Sequence, residues 1–313
     1  MIQHSKEYGI PVLFVFFNRR EVALQSFERI RKARPAKLYL ACDGPRHGVA
    51  GDAEKVEQTR RAVLERIDWP CEVHQKFETA NLGCADGVYS AICWLFQHEE
   101  CGIILEDDCV PQDSFFPFVE EMMVRYWNDE RVGMVDGANY IKQVALPHSY
   151  CFSNFKSTNG WATWRRAWKR MDMDMKWRHT PMEDSVLLNT GFQGRDYKYW
   201  KYKLKVIDHK QASAWDWQWY FTLAAQHQLA VCPCKNLITN IGFGPGATHT
   251  TNMVDTDQYK ANGDLTFPLD HPLYVAPYLP FEKAFYKANN TLFYTVMRYI
   301  PFSIKNMVKK IVR

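Results

Sequence analysis

Nowhere in the 313 residues is there an apolar run long enough to span a bilayer. The opening M-I-Q-H-S-K-E-Y-G carries no signal-peptide pattern, which sets the expectation of a cytoplasmic protein. The 9 cysteines are odd in number and follow no repeating framework. That argues against a secreted disulfide scaffold and suits a reducing compartment. Cys232-Pro-Cys234 is too tight for a usual zinc site and has no matching pair or histidine spacing, so buried thiols are expected. Charge of one sign is scarce: a net +4 is too small to argue for nucleic acid, and no such partner is expected. There is no internal repeat and no low-complexity linker. A phosphate-binding P-loop and a dinucleotide fingerprint are both missing, because the one glycine-rich stretch, Ile241–Thr251, has neither residue order nor strand-to-helix setting.

What is present reads as an ordinary globular chain, 47% hydrophobic and 24% charged, long enough for one large α/β domain or two small ones. Aromatics reach 15%, with 11 tryptophans. Such an excess suits stacking on sugars or bases, and equally suits a large core or a membrane-facing surface.

Strand and helix patterns alternate through the first third. Ile10–Phe17 is a buried strand, Glu21–Lys32 has helical spacing, and Leu38–Cys42 is a second strand ending in Asp43-Gly44-Pro45. Asp52 opens a polar helix to about Ile67. Cys71–Phe77 is a third strand, Asn81-Leu82-Gly83 a turn, and Ala85–Phe96 a helix. The next strand, C-G-I-I-L at Cys101–Leu105, runs into Glu106, Asp107 and Asp108. This order predicts a doubly wound, mostly parallel sheet.

Successive strand residues point to opposite faces, so these three acids cannot all face one way. Carboxylates this close repel one another unless a cation sits among them, and hard oxygen ligands favour Mg²⁺ or Mn²⁺. Ligands of open α/β sheets bind beyond the carboxyl ends of the strands. Asn18-Arg19, Asp43 and the acids each follow a strand and should converge there. Asp43 would accept from a ring N–H, Arg19 would donate, and the metal would clamp phosphate: a nucleotide diphosphate site. Alone, the acids would serve equally well as an acidic loop, Arg19 as a surface cation, and Asp43 as an acid capping its own turn.

The second half has a different texture. Asp113–Trp127 is a helix and Arg131–Ala138 a strand. Trp161, Trp164 and Trp168 fall at helical spacing and are expected on one face, at least two of them as core. Pro181–Asn189 reads as a short helix, and Gly191–Asp208, rich in tyrosine and lysine, as peripheral. Trp215-Asp216-Trp217 begins a helix to about Gln228. An acid there complements the helix dipole, and among tryptophans it is also poised as a base. Leu229–Cys234 is a late strand. The glycine-rich stretch is expected to be a mobile lid, and the chain from Asp255 to about Pro280 irregular. Two helical stretches broken at Pro301 complete the sequence, and basic residues alternate with apolar ones over Ile304–Arg313. That pattern adds the expectation of a peripheral contact with the inner face of a membrane.

Laid out in order, these residues resemble the metal-dependent GT-A glycosyltransferases, most of all the N-acetylglucosaminyltransferase I family and its bacterial relatives. The resemblance covers about Pro11 to Thr251. It rests on P-V-L followed by Asn18-Arg19; Cys42-Asp43-Gly44; Asn81–Gly87; L-E-D-D followed by Pro111 and Phe115; Gly160-Trp161; Trp215-Asp216-Trp217; and Gly244–His249. It implies a GT-A domain over 1–252, with a nucleotide-binding half of about 1–112 and an acceptor half of about 113–252. An irregular segment (253–280) and C-terminal amphipathic basic helices (281–313) follow. It further implies that Asp108 binds Mn²⁺ or Mg²⁺ and that Asp107 and Glu106 contact ribose and donor sugar. Arg19 and Asp43 would hold the base, with Asn18 and Asn81 beside them. Gly244, Gly246, Thr248 and His249 would close over the donor, and Asp216 would be the general base of an inverting transfer. The family has a base-contacting histidine near Asn81 and two adjacent acids where this chain has only Asp216. The implied substrates are a nucleotide diphosphate sugar, of the UDP-GlcNAc type, and a glycan or lipid-linked glycan acceptor of surface polysaccharide assembly. The alternatives are a nucleotidyltransferase, which would usually carry a basic glycine-rich loop after the first strand, and a non-catalytic nucleotide-sugar-binding module, which would need neither Asp216 nor a lid.

Overall fold

A computed structural model describes residues 9–190, 195–209, 215–242 and 259–305. In chain order the elements are β1 (Val12–Phe16), α1 (Arg20–Ala33), β2 (Lys37–Cys42), α2 (Asp52–Leu64), β3 (Glu72–Phe77), α3 (Cys84–His98), β4 (Cys101–Glu106) and β5 (Cys109–Pro111). There follow α4 (Phe115–Arg125), β6 (Val132–Asp136), β7 (Tyr150–Ser153), β8 (Trp161–Trp164), α5 (Arg165–Trp168), α6 (Glu183–Leu188), α7 (Arg195–Asp208) and α8 (Asp216–Ala225). Last come β9 (Leu229–Pro233), β10 (Ile238–Asn240), α9 (Leu279–Asn289) and α10 (Leu292–Tyr299).

Among the described residues eight strands form one central sheet in the order β3-β2-β1-β4-β8-β6-β9-β7. The pairs β1–β2, β1–β4, β2–β3 and β6–β9 are parallel, and the three made by β7 and β8 are antiparallel. The sheet is thus mostly parallel and flanked by helices, as an α/β fold requires. Strand alternation divides β1: Val12, Phe14 and Phe16 join a core with α1, α2 and α4, and Leu13 joins one with α3 and α8. The chain leaves β1 for β2 on one side and reaches β4 on the other. The crevice at the carboxyl ends of β1 and β4 is therefore the sheet's switch point, where such folds bind ligands.

Three expectations need correction. The Trp161–Trp168 stretch is not one helical face. Trp161–Trp164 is a strand held between β4 and β6, so Trp161 and Trp164 enter opposite cores. Strand pairing across the sheet overrides the local spacing, although all three tryptophans are buried as expected. The 195–208 segment is not peripheral: α7 buries Tyr199, Trp200 and Leu204 in a third core with α8 and α9. The C-terminal helices break at Asn290-Thr291 as well as at Pro301. The first of them, α9, is bound into the domain: Phe281, Phe285 and Tyr286 are buried, and Glu282 accepts from Ser153 Oγ at 2.7 Å and Asn154 N at 2.8 Å.

Candidate functional site

At the switch point lies a cavity of about 710 Å³ lined by Asn18, Arg19, Asp43, Asn81, Glu106 and Asp107, among others. Six residues singled out in the sequence therefore share one space. Each sits at or beyond the end of a parallel strand: Asn18 and Arg19 after β1, Asp43 after β2, Asn81 in the loop after β3, Glu106 as the last residue of β4 and Asp107 next to it.

The three acids diverge as strand geometry demands. Ile104, two residues before Glu106, belongs to the core on the α3 and α8 side. The Glu106 carboxyl turns the same way and is pushed up to about 8 by burial and by the charges of Asp108, Asp107 and Asp216, with Arg19 acting against them. Asp107 points to the α1 side, where Ser26 Oγ donates to its backbone carbonyl at 2.7 Å. Burial pushes its carboxyl up to about 6, against the pull of Arg19 and the Phe17 amide. Its Oδ2 is buried and makes no hydrogen bond of ordinary geometry among the described residues. Asp108 accepts from Arg19 at 3.1 Å and from Asn240 Nδ2 at a long 3.4 Å. Arg19 also pairs with Asp107. Burial works against the Arg19 cation, and the two carboxylates more than offset it, so its pKa is raised. Arg19 thus pairs with two of the three carboxyls and acts on Glu106 only through its charge.

Asp43 organises the opposite wall. Its four lone-pair positions take Gly44 N and Leu82 N on Oδ1, both at 2.8 Å, and Asn81 Nδ2 at 2.9 Å and Gly83 N at 3.0 Å on Oδ2. The Asp43 carboxylate thus fixes the 81–83 loop, and Asn81 also donates to Gly44 O at 2.9 Å. Position 44 must be glycine, because a Cβ there would lie 2.4–2.6 Å from the Ala80 backbone.

Asp216 is the first residue of α8, behind Trp215, which stacks on Trp161 at 5.7 Å. Its charge raises the Glu106 carboxyl, and also the Cys84 thiol, which burial before anything else lifts to about 12. Asp216 is therefore near enough to Glu106 and Cys84 for its charge to act on them. Trp215 and Trp219 are core residues, and Trp217 is half-exposed, with Lys203 Nζ 4.6 Å from its ring. Burial and Arg298 bring the Lys203 ammonium down to about 8, and Asp216 opposes them.

Several participants were not read from the sequence. In the sequence Asp52 shows only as a helix start. It is buried, receives Asn18 Nδ2 at 2.5 Å, and is held well below the usual carboxylate range by Arg46, whose side chain donates at 2.7 and 3.0 Å. Arg46 in turn lies over the Phe17 ring at 5.4 Å. Asn240 reaches the acids because β10 pairs antiparallel with β5, placing Asn240 opposite Cys109. Ile241 N then donates to Asp108 O at 2.9 Å, and a Cβ on Gly242 would strike Asp108 Oδ2 at 2.1 Å. The glycine-rich stretch thus leaves directly from Asp108. Gly244, Gly246, Thr248 and His249 lie outside the described residues, as does the basic tail from residue 306 onward.

Among the described residues no three histidine, cysteine, aspartate or glutamate side chains converge on one metal position, and no helix is long and apolar enough to cross a membrane. A Mg²⁺-like ion completed by substrate phosphates needs only one or two protein carboxylates. Asp108 and the unpartnered Asp107 Oδ2 fit that donor set.

No protein-family model matches the chain, and no curated protein matches it. Among solved structures there is a likeness to a cytidylyltransferase from Leptospira borgpetersenii serovar Hardjo-bovis (strain JB197). It has 9% sequence identity and a TM-score of 0.31, over 56% of this chain and 70% of that one. A likeness this distant carries no weight for what the cavity binds.

Proposed function

We propose that the protein is a metal-dependent, inverting glycosyltransferase of the GT-A type that moves a sugar from a nucleotide diphosphate donor to a glycan or lipid-linked glycan. The observation that carries this reading is the crowding of three carboxyls at one strand end, with a fourth, Asp216, close enough to act on them. Glu106, Asp107 and Asp108 crowd the end of β4, Arg19 pairs with the two aspartates, and the charge of Asp216 at the start of α8 reaches Glu106. Such an arrangement has a purpose if a cation and its phosphates fill one side and a hydroxyl nucleophile approaches from the other.

The base and ribose would occupy the crevice beyond β1 and β2, with Phe17, Arg46 and the 81–83 loop as its walls. Asp108 would hold Mn²⁺ or Mg²⁺, with Asp107 and Glu106 beside it. The ion supplies Lewis-acid stabilisation of the diphosphate charge that builds up as the anomeric bond breaks. Asp216 would take the proton of the acceptor hydroxyl as it attacks opposite the leaving group. One base then suffices, configuration inverts, and no covalent intermediate is needed. The start of the glycine-rich stretch at Asp108 suits a segment that closes over the donor and excludes water.

Thermal-shift screening of nucleotide sugars tests the binding half directly, since a ligand of the native state raises its melting point. At least one nucleotide diphosphate sugar should stabilise the protein in Mn²⁺ and not in chelator, and Asp108→Asn should abolish that shift. Equal stabilisation of Asp108→Asn would remove the metal assignment.

A further inference from the structure

The C-terminal helices carry a feature that the transfer reaction leaves unused. On α10, Leu292, Val296 and Tyr299 are 80%, 52% and 75% exposed. Their spacing of four and then three residues sets them on one face of the helix. The helix is not merely loose. From its other side Arg298 donates to Asn289 O at 2.8 Å and lies 5.1 Å from the Tyr199 ring of α7. Lys305, just beyond, donates to Tyr202 Oη at 2.9 Å. The stripe is thus held facing away from the domain, with Ile304 exposed further along the chain.

Charge says what could cover it. After Glu282 the sequence holds seven lysines and arginines and no aspartate or glutamate, so with the whole chain at +4 the preceding residues stand at −3. Glu282 itself is buried against Ser153 and Asn154. On α9, Lys283 and Lys287 are exposed. A second copy of this segment would bring excess positive charge against excess positive charge. A negatively charged surface would meet the exposed Lys283 and Lys287 and no acid from this part of the chain.

We propose that α10 is a docking helix whose Leu292–Val296–Tyr299 stripe enters the headgroup boundary of an anionic lipid bilayer, with the exposed lysines of α9 against the lipid charge. An amphipathic helix of this kind lies in the interface plane, its apolar face sunk about 5–10 Å, and does not cross the membrane. Tyrosine suits that depth, its ring apolar and its hydroxyl wet. The helix lies ahead of the basic tail from Ile304 onward and docks by its own residues. The inference holds whatever the cavity binds.

Flotation of the full chain tests it, with vesicles of phosphatidylcholine alone and of phosphatidylcholine mixed with phosphatidylglycerol. The wild type should float with the mixed vesicles and not with the neutral ones. L292S/V296S/Y299S should keep its melting temperature and lose partitioning by roughly tenfold or more, since both apolar area and charge are needed for binding of this class. Lys283→Gln with Lys287→Gln should weaken flotation and reduce its salt sensitivity. A measurement on the wild type alone stands beside these: amide exchange over 292–299 should slow when the mixed vesicles are added. Undiminished flotation of the triple variant, or unchanged exchange over 292–299, would overturn the proposal. So would a wild-type dimer that the triple variant makes monomeric, because the stripe would then belong to a second copy.

Discussion

A carboxyl lifted to about 8 beside two others and one arginine keeps its proton at neutral pH unless another positive charge takes the proton's place. Asp216 is the residue whose role separates a transferase from a binding module. It stands at the start of α8, where an acid also complements the helix dipole, so substitution has to distinguish the two roles. Asp216→Asn keeps an oxygen and removes the basicity. Transfer should fall by roughly two to four orders of magnitude, and stability should change by no more than about 1 kcal/mol. A variant that keeps most of its transfer rate would put the base elsewhere. Lys203 gives a pH signature. Its folded value near 8 lies below the ordinary 10.5, so above pH 8 the unfolded chain binds more protons than the folded one. Stability from this group therefore rises with pH through that window. Lys203→Met should flatten the rise in urea midpoint between pH 8 and about 9.5, before tyrosines titrate in the unfolded chain. Parallel curves for the two proteins would show Lys203 to be more hydrated than its place between Tyr199 and Trp217 implies. The acids, Arg19 and Asp43 were readable because each directly follows an apolar run. Asp52 and Asn240 were not, because their partners lie 34 and 132 positions away along the chain.

At the scale of elements, the parallel half of the sheet was legible from alternating strands and helices. In the other half β6 and β9 were legible too, and the antiparallel strands β7 and β8 were not. Trp161–Trp164 and Tyr150–Ser153 are four residues each, and their strand character comes from the neighbours they pair with. The same holds for α7, whose polar composition hides Trp200, wholly enclosed and donating to Tyr286 Oη at 2.7 Å. The loop after β2 shows how one element sets another's position. Gly44 lets the Ala80 backbone approach, and Asp43 then gathers residues 81–83. Gly44→Ala should displace that loop, lowering the melting temperature and weakening donor binding severalfold, with the α8 side of the cleft untouched. Donor titration by calorimetry checks this. Unaltered affinity would mean that the 81–83 loop does not form part of the donor site.

For the whole molecule, the switch point between β1 and β4 gathers Asn18, Arg19, Asp43 and the strand-end acids, and Asp216 of α8 acts on those acids through its charge. The C-terminal helices are fixed to the same body through Glu282 and the aromatic core of α7, α8 and α9. Identity of the released product tests this account most directly. The protein is incubated with a panel of nucleotide sugars in Mn²⁺, without and with crude lipid-linked or soluble glycan acceptors. The account predicts slow, chelator-sensitive release of nucleoside diphosphate from one donor, faster release when an acceptor is present, and loss of both in Asp108→Asn. Pyrophosphate released from a nucleoside triphosphate and a sugar phosphate would contradict it and make the same cavity a nucleotidyl-transfer site.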